Sequence, residues 1–304
     1  MNDGEMLKIV VPGSTANLGP GFDSIGLAVS LHLTLEVVRA ESWEFIPKTN
    51  EVKSIPTGEN NLIYQVASKL ASEYGVTLPP CHVFVSSNIP FTRGLGSSAA
   101  AIVAAIELAN ELGRLGLSKE EKMRVASMYE GHPDNVGASL YGGLVIGSHL
   151  EERTHVVHIP HIPLDLIAVI PTYELETKKS RTVLPSVFMR EQAVEASAIS
   201  NVLVAALLTH NWSLVGEMMD ADVFHQPYRE SLVPELQHVR TVAKRNGAFG
   251  VALSGAGPTV LCFAERGRGK EVYASLQVAF PHCDVRILSV ETTGSCVYRM
   301  ALEK

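Results

Sequence analysis

The run Pro90, Phe91, Thr92, Arg93, Gly94, Leu95, Gly96, Ser97, Ser98, Ala99, Ala100 has the composition of a polyphosphate cradle. Gly94 and Gly96 lack a Cβ, so the backbone can take left-handed angles and approach a ligand closely. An alanine-rich helix is predicted from Ser97 to Leu112, with Gly113 as its stop. Its first turn offers unpaired N–H groups and the positive end of the helix dipole, which together favour an anion. Ser97 is the expected N-cap, and the Ser98 hydroxyl can ligate Mg2+ or a phosphate oxygen. The run lacks the Gly-Lys-Ser/Thr ending of a Walker loop and the Gly-x-Gly-x-x-Gly dinucleotide fingerprint. Taken alone, it also fits an ordinary strand-to-helix turn with a serine cap.

Further polar groups are spaced along the chain. Pro12 to Asp23 reads Pro-Gly-Ser-Thr-Ala-Asn-Leu-Gly-Pro-Gly-Phe-Asp, a loop whose glycines and prolines would present Asn17 and Asp23 as fixed groups. The Asp23 carboxylate can accept an ammonium group, and both residues are also common turn formers. In Glu130-Gly-His-Pro-Asp-Asn-Val-Gly137, Glu130 falls in the last turn of a predicted helix, facing the negative end of its dipole. Such a local conflict marks functional sites, and a cation would relieve it, making Glu130 the candidate second Mg2+ ligand beside Ser98. The competing reading is a solvated surface glutamate. Ser254-Gly-Ala-Gly-Pro-Thr259 is a tight turn between apolar strands that can pack on the phosphate loop.

These groups need positioning elements. Strands are predicted at Lys8–Val11, Ile25–Arg39, Cys81–Ser86, Leu144–Ile146, Leu166–Ile170, Phe249–Leu253, Thr259–Phe263, 284–290 and 296–300. Helices are predicted from Asn60 or Asn61 to Tyr74, from the Ser118/Glu121 capping box to Glu130, and near 187–210, 213–222, 231–245 and 269–278. The mixture lacks regular βαβ repeats, which favours α+β with partly antiparallel sheets. The charged and proline-bearing stretch 151–165 suggests a lobe boundary, giving units 1–160 and 161–304.

With 304 residues the chain can bury a large core, and 46% hydrophobic against 19% charged residues suits a globular protein. A net charge of −7 gives no drive toward nucleic acid or an anionic membrane, so any phosphate site must be local. No stretch is read as reaching the ~20 apolar residues of a membrane span. Met1 to Leu7 carries two acids and no apolar run, unlike a signal peptide. Cys81, Cys262, Cys283 and Cys296 form no CxxC pair and show no metal-type spacing to histidine, so reduced thiols in a cytoplasmic protein are expected.

Taken together, the four motifs resemble the GHMP kinases, the family of galactokinase, homoserine kinase, mevalonate kinase and phosphomevalonate kinase. They occur in family order over nearly the whole chain. Asn17 to Asp23 and His132 to Asn135 are closest to the homoserine-phosphorylating branch. The resemblance implies a two-lobed GHMP kinase fold, with an N-terminal lobe like domain 2 of ribosomal protein S5 and a ferredoxin-like C-terminal lobe. It implies ATP and Mg2+ as cofactors, L-homoserine as substrate, and O-phospho-L-homoserine as product in threonine biosynthesis. It further implies that Pro90 to Ala100 wraps ATP, and that Asn17, Asp23, His132, Asn135, Arg181, Thr182 and Arg229 surround homoserine, with Arg181 and Arg229 on its carboxylate. Asn17, His132, Asn135 and Arg181 are the expected catalytic group. Several sister kinases have an aspartate base where this chain has Asn135; an amide cannot accept the proton, so a mechanism without a carboxylate base is expected. A homodimer is left open. So are two other readings, a GHMP kinase for another small molecule and a non-catalytic ATP-binding regulator.

Overall fold

The computed structural model describes residues 5–301; the reading of Met1 to Leu7 therefore lies partly outside the described residues. The first lobe runs β1 (Glu5–Ala16), β2 (Ile25–Arg39), β3 (Glu44–Pro47), α1 (Leu62–Glu73), β4 (Cys81–Ser87), α2 (Ser97–Gly113), α3 (Lys119–Glu130), α4 (Asp134–Tyr141), β5 (Leu144–His149) and β6 (Thr154–Ile159). The second runs β7 (Leu164–Ile170), α5 (Thr177–Thr182), α6 (Arg190–Leu208), α7 (Trp212–Asp220), α8 (Gln226–Arg229), α9 (Leu236–Arg245), β8 (Ala248–Leu253), β9 (Val260–Glu265), α10 (Gly269–Ala279) and β10 (Asp284–Ser289). A last strand, β11 (Cys296–Ala301), returns to pair antiparallel with β1. The chain assigned to 161–304 thus ends inside the first sheet.

That sheet has the order β11-β1-β2-β4-β3, with β5 on β2 and β6 on β5. The second has the order β10-β7-β9-β8, all antiparallel, with helical segments after β7 and β9. This is the ferredoxin-like order expected. Strand alternation divides its faces. Leu166, Ala168, Ile170, Leu261 and Phe263 join the core of the first lobe, while Ile167, Val169, Val260, Cys262 and Ala264 pack under α9 and α10. The two lobes consequently share apolar packing.

Three local differences from expectation bear on the site. First, β1 extends to Ala16 instead of ending at Val11, because its ladder to β2 resumes after a bulge at Pro12/Gly13. Pro12 to Ala16, a little under half of the supposed loop, is therefore strand. Second, the N-cap of α2 is Gly96, in the left-handed region at φ 73°, and Ser97 is the first helical residue with no side-chain cap. The Ser97 hydroxyl is thereby released from capping. Third, helices at 177–182 and 226–229 went unpredicted; both are short, and short elements leave little periodicity to read.

Helix α2 is placed by small residues. Ala99, Ala100, Ala104, Ala105 and Ala109 are buried against β1, α1 and α4, letting the helix approach them closely. Glu107 on α2 is buried but paired, accepting from Lys122 Nζ at 2.8 Å and from Ser295 Oγ at 2.7 Å. Among the described helices, α6 is long and apolar enough to cross a membrane by length and composition alone. Here it packs on α7, burying Ala196, Leu203, Ala206 and Leu207.

Candidate active site

A cleft of about 730 Å³, including its open mouth, lies where the N-terminus of α2 meets the loop after β1, the start of α4 and the second-lobe turn at 254–257. Asn17, Phe22, Asp23, Thr92, Gly94, Gly96, Ser97, Ser98, Ala99, Glu130, His132, Asn135, Arg181 and Arg229 all line it. Of the sequence-derived substrate residues, Thr182 alone is left out. It is exposed on α5 and its hydroxyl donates to Lys179 O, because the helical rise turns it away from Arg181.

The phosphate loop divides its residues by role. Thr92, Gly94, Gly96, Ser97, Ser98 and Ala99 face the cleft, whereas Pro90, Arg93, Leu95 and Ala100 do not line it. Arg93 turns back to brace the loop, donating to Pro171 O and Thr172 O at 3.1 and 2.7 Å and pairing with Glu174. The 254–257 turn packs directly on this loop: Ser254 Oγ donates to Gly94 O at 2.6 Å and Thr259 N to Arg93 O at 3.3 Å. Gly94 has φ +76°, and a Cβ there would collide with the carbonyl oxygens of Ser254 and Gly257; one on Gly96 would collide with Ser14. Gly94→Ala should therefore cost more than about 1 kcal/mol of stability, read as a lowered melting temperature, and weaken nucleotide binding.

Phe91, Thr92, Ser97 and Ser98 also face a second, mostly apolar groove of about 950 Å³ lined by Val52, Ile55, Leu62, Val85 and Ile89, with Asn60 and Asn61 at its polar edge. The sequence reading used Asn61 only as a helix cap, which it is: its side chain accepts from Ile63 N. Thr92, Ser97 and Ser98 are common to cleft and groove, so an anion at the α2 N-terminus could continue into an aromatic base on apolar walls.

On the other side of the cleft Asn17, at φ 73°, fixes two loops. Its amide nitrogen donates to Gly255 O at 3.1 Å and its oxygen accepts from Asp23 N at 3.0 Å. Asp23 holds Arg181 through two bonds, Nη1 to Oδ2 at 3.0 Å and Nη2 to Oδ1 at 2.7 Å. Arg229 is different. It is 1% exposed, yet its partners are all neutral: Ser180 O at 3.2 Å, Gly255 O at 3.1 Å and His225 Nδ1 at 3.1 Å. Among the described residues no carboxylate lies within ion-pair distance of it. Asp23 and Asp222 favour its charge from beyond ion-pair distance, and a buried guanidinium with no direct counter-ion leaves a place for an anion. His225 serves this by its tautomer: Nε2–H donates to Gly19 O at 2.9 Å, leaving Nδ1 to accept from Arg229. Both guanidiniums lie 5.4 Å from the Phe22 ring centroid. Phe22 was missed as a site residue although it stood inside the Pro12 to Asp23 motif, and His225 was missed as the support of Arg229.

Residues 61–143 match the model for the GHMP kinases N terminal domain, and 203–282 that for the GHMP kinases C terminal. Homoserine kinase of Bacillus pumilus is 56% identical over 292 residues, covering 96% of this chain and 94% of that one. The chain belongs to the GHMP kinase family, in its homoserine kinase branch. A solved structure of a candidate homoserine kinase from Listeria monocytogenes matches with TM-score 0.86 at 45% identity, covering 97% of this chain and 100% of that one. Homoserine kinase from Cytophaga hutchinsonii matches with TM-score 0.85 at 26% identity, covering 98% of each.

The electrostatics of this GHMP kinase cleft sort its titrating groups. Burial raises the Glu130 carboxyl above its ordinary range; His132 and Arg181 oppose the rise and Asp134 adds to it. The Glu130 carboxylate makes no hydrogen bond or ion pair among the described residues, though it lines the cleft with Ser98. An unpaired, part-buried carboxylate sharing a cleft with a hydroxyl is a donor set that fits Mg2+. Burial disfavours the His132 imidazolium, but the bond from Nδ1 to Asp134 Oδ1 at 2.5 Å, with the charges of Asp134, Asp23 and Glu130, outweighs it and raises the pKa. Asp134 does not cap α4; its Oδ1 is shared between His132 and Asn135 N, and Pro133 holds the cap position. Asn135 Oδ1 accepts from Ser14 Oγ at 3.0 Å, which leaves its nitrogen as donor to a ligand. Arg229 is lowered to about 10 by burial and then by Arg181, and remains charged at neutral pH.

Proposed function

We propose that this chain transfers the γ-phosphoryl group of ATP to the side-chain hydroxyl of L-homoserine, giving O-phospho-L-homoserine and ADP. The observation that carries the substrate is Arg229, a buried cation with neutral partners only, set in one cleft with the Asp23 carboxylate. An α-amino acid brings one anion and one cation, and its carboxylate and ammonium complement these two groups. The same cleft opens on the α2 N-terminus, whose N–H groups would receive the β- and γ-phosphates, while the apolar groove beyond Ser98 would take the base.

Phosphoryl transfer depends on placement and charge neutralisation. Ser98 and Glu130 would hold Mg2+, which supplies charge neutralisation on the phosphates when bound. Arg229 anchors the amino acid at one end. Asn135 and His132 then meet its other end, where the hydroxyl lies. With Nδ2 as its available group, Asn135 orients the hydroxyl oxygen and removes no proton. The Asp134 contact favours the protonated form of the His132 ring, which makes it a poor acceptor for that proton. The hydroxyl proton passes to a phosphate oxygen or to water.

The pH sign follows. A His132 base would make kcat rise as pH increases through a pKa above the ordinary imidazole value, since only the neutral ring accepts a proton. The proposal expects no such rise, and expects Asn135→Asp to leave kcat without a tenfold gain. A pH profile of kcat for both proteins checks this. For the reaction itself, ADP release is measured with homoserine, mevalonate and galactose in parallel. Homoserine-dependent turnover supports the assignment. Turnover with mevalonate or galactose instead, or none with any of them, overturns it.

A further inference from the structure

Outside the cleft, three metal-type donors converge on the second lobe. Glu235 precedes α9, while His282 and Cys283 lie in the turn between α10 and β10. One carboxylate oxygen, one imidazole nitrogen and the thiol sulfur all lie within 4.8 Å of one another. None of these residues lines the kinase cleft. We infer that Glu235, His282 and Cys283 form an accessory binding site for a divalent transition metal of the zinc class.

The donor chemistry selects the ion. A thiolate and an imidazole are soft or borderline ligands that suit Zn2+, whereas Mg2+ and Ca2+ take oxygen almost throughout. Tetrahedral bonds of about 2.0–2.3 Å put neighbouring donors about 3.3–3.8 Å apart, so the three need draw in by only about 1 Å. The exposed His282 ring can make most of that movement, and its exposure gives the ion a way in. On binding, the Cys283 S–H proton leaves to solvent as the sulfur–metal bond forms. Thiolate and Glu235 then balance the two charges of the cation, and water completes the coordination.

Two features hold the donors before any ion arrives. Tyr173 OH donates to Glu235 Oε2 at 2.7 Å, orienting the carboxylate as the outer partners of metal ligands do. Cys283 N–H donates to Phe280 O at 3.0 Å, closing the turn on the buried Phe280 ring, with the His282 ring 6.2 Å away. The sequence hides the site because two donors are adjacent in one turn and the third precedes α9, far earlier in the chain.

Chelator-stripped protein is titrated with Co2+, whose thiolate complexes show an intense sulfur-to-metal absorption in the near ultraviolet. One equivalent is expected to produce this band and Zn2+ to displace it. Cys283→Ser removes the band with Mg2+-dependent kinase activity unchanged when no Co2+ or Zn2+ is added, and Tyr173→Phe weakens Co2+ binding about tenfold or more. In unaltered protein, Zn2+ should slow alkylation of Cys283, mapped by mass spectrometry, and leave Cys296 unaffected. Absence of the band, its persistence in Cys283→Ser, or an unchanged rate of Cys283 alkylation each overturns the site.

Discussion

Arg229→Ala should raise KM for homoserine roughly 10²–10³-fold, the size expected when one partner of a buried charge pair is removed. KM for ATP should move by less than about threefold, because Arg229 hydrogen-bonds to Ser180, Gly255 and His225 and to no residue of the phosphate loop. Arg229→Lys should rescue little: an ammonium keeps the charge but cannot reproduce the forked, planar donor set. The free protein should tolerate the loss better than the complex does, since Asp23 and Asp222 favour the guanidinium's charge only from beyond ion-pair distance until a ligand carboxylate arrives. Steady-state kinetics varying each substrate at saturation of the other gives both KM values. Equal rises in the two would mean that Arg229 supports the fold generally and is not the carboxylate anchor.

Glu130→Gln should separate activity from stability. Glu130 occupies the last turn of α3, where a negative charge opposes the helix dipole, and burial adds to the cost of its charge. Neutralising it should leave the melting temperature unchanged or raise it, by at most about 1 kcal/mol of stability. Losing a metal ligand should meanwhile lower kcat/KM by roughly 10²–10³-fold and raise the magnesium concentration needed for half-maximal rate. The pH dependence has a definite sign. The folded protein raises the Glu130 pKa, so its charge, and any cation binding that needs it, is lost at a higher pH than an ordinary carboxylate would lose it. Activity should fall early on acidification, and that limb should be absent in the variant. A variant that is destabilised yet fully active would place Glu130 in the fold and outside the chemistry.

Much of this was legible in the sequence, and the reasons are specific. Long β2 announces itself by alternation, with Leu31, Leu33, Leu35 and Val37 inward. The α3 start is written in Ser118 and Glu121, which form the reciprocal cap predicted. The phosphate loop was legible because Gly94 and Gly96 answer close approaches that no side chain could survive. The features that escaped are those made by tertiary contact. Ser97 looks like a cap, yet Gly96 takes the position because the loop enters α2 with left-handed backbone. Thr182 is adjacent to Arg181 in sequence but points elsewhere on a helical turn. Asp23 was read as an ammonium acceptor, and the folded chain also pairs it with Arg181, 158 positions away. The apolar groove takes its walls from β2, β4, α2 and the segment before α1, a convergence that no local pattern encodes. Arg229 was placed on the substrate carboxylate by resemblance alone; its burial against neutral hydrogen-bond partners supplies the physical reason.

The most direct test is the structure of a ternary complex with homoserine and a non-hydrolysable ATP analogue. The account predicts the amino-acid carboxylate on Arg229, its ammonium beside Asp23, and the triphosphate at the N-terminus of α2 with the base in the groove beyond Ser98. The side-chain hydroxyl should point at the γ-phosphate, with Asn135 Nδ2 as its neighbour. A nucleotide lodged away from Ser97 and Ser98, or a homoserine whose carboxylate ignores Arg229, would contradict it.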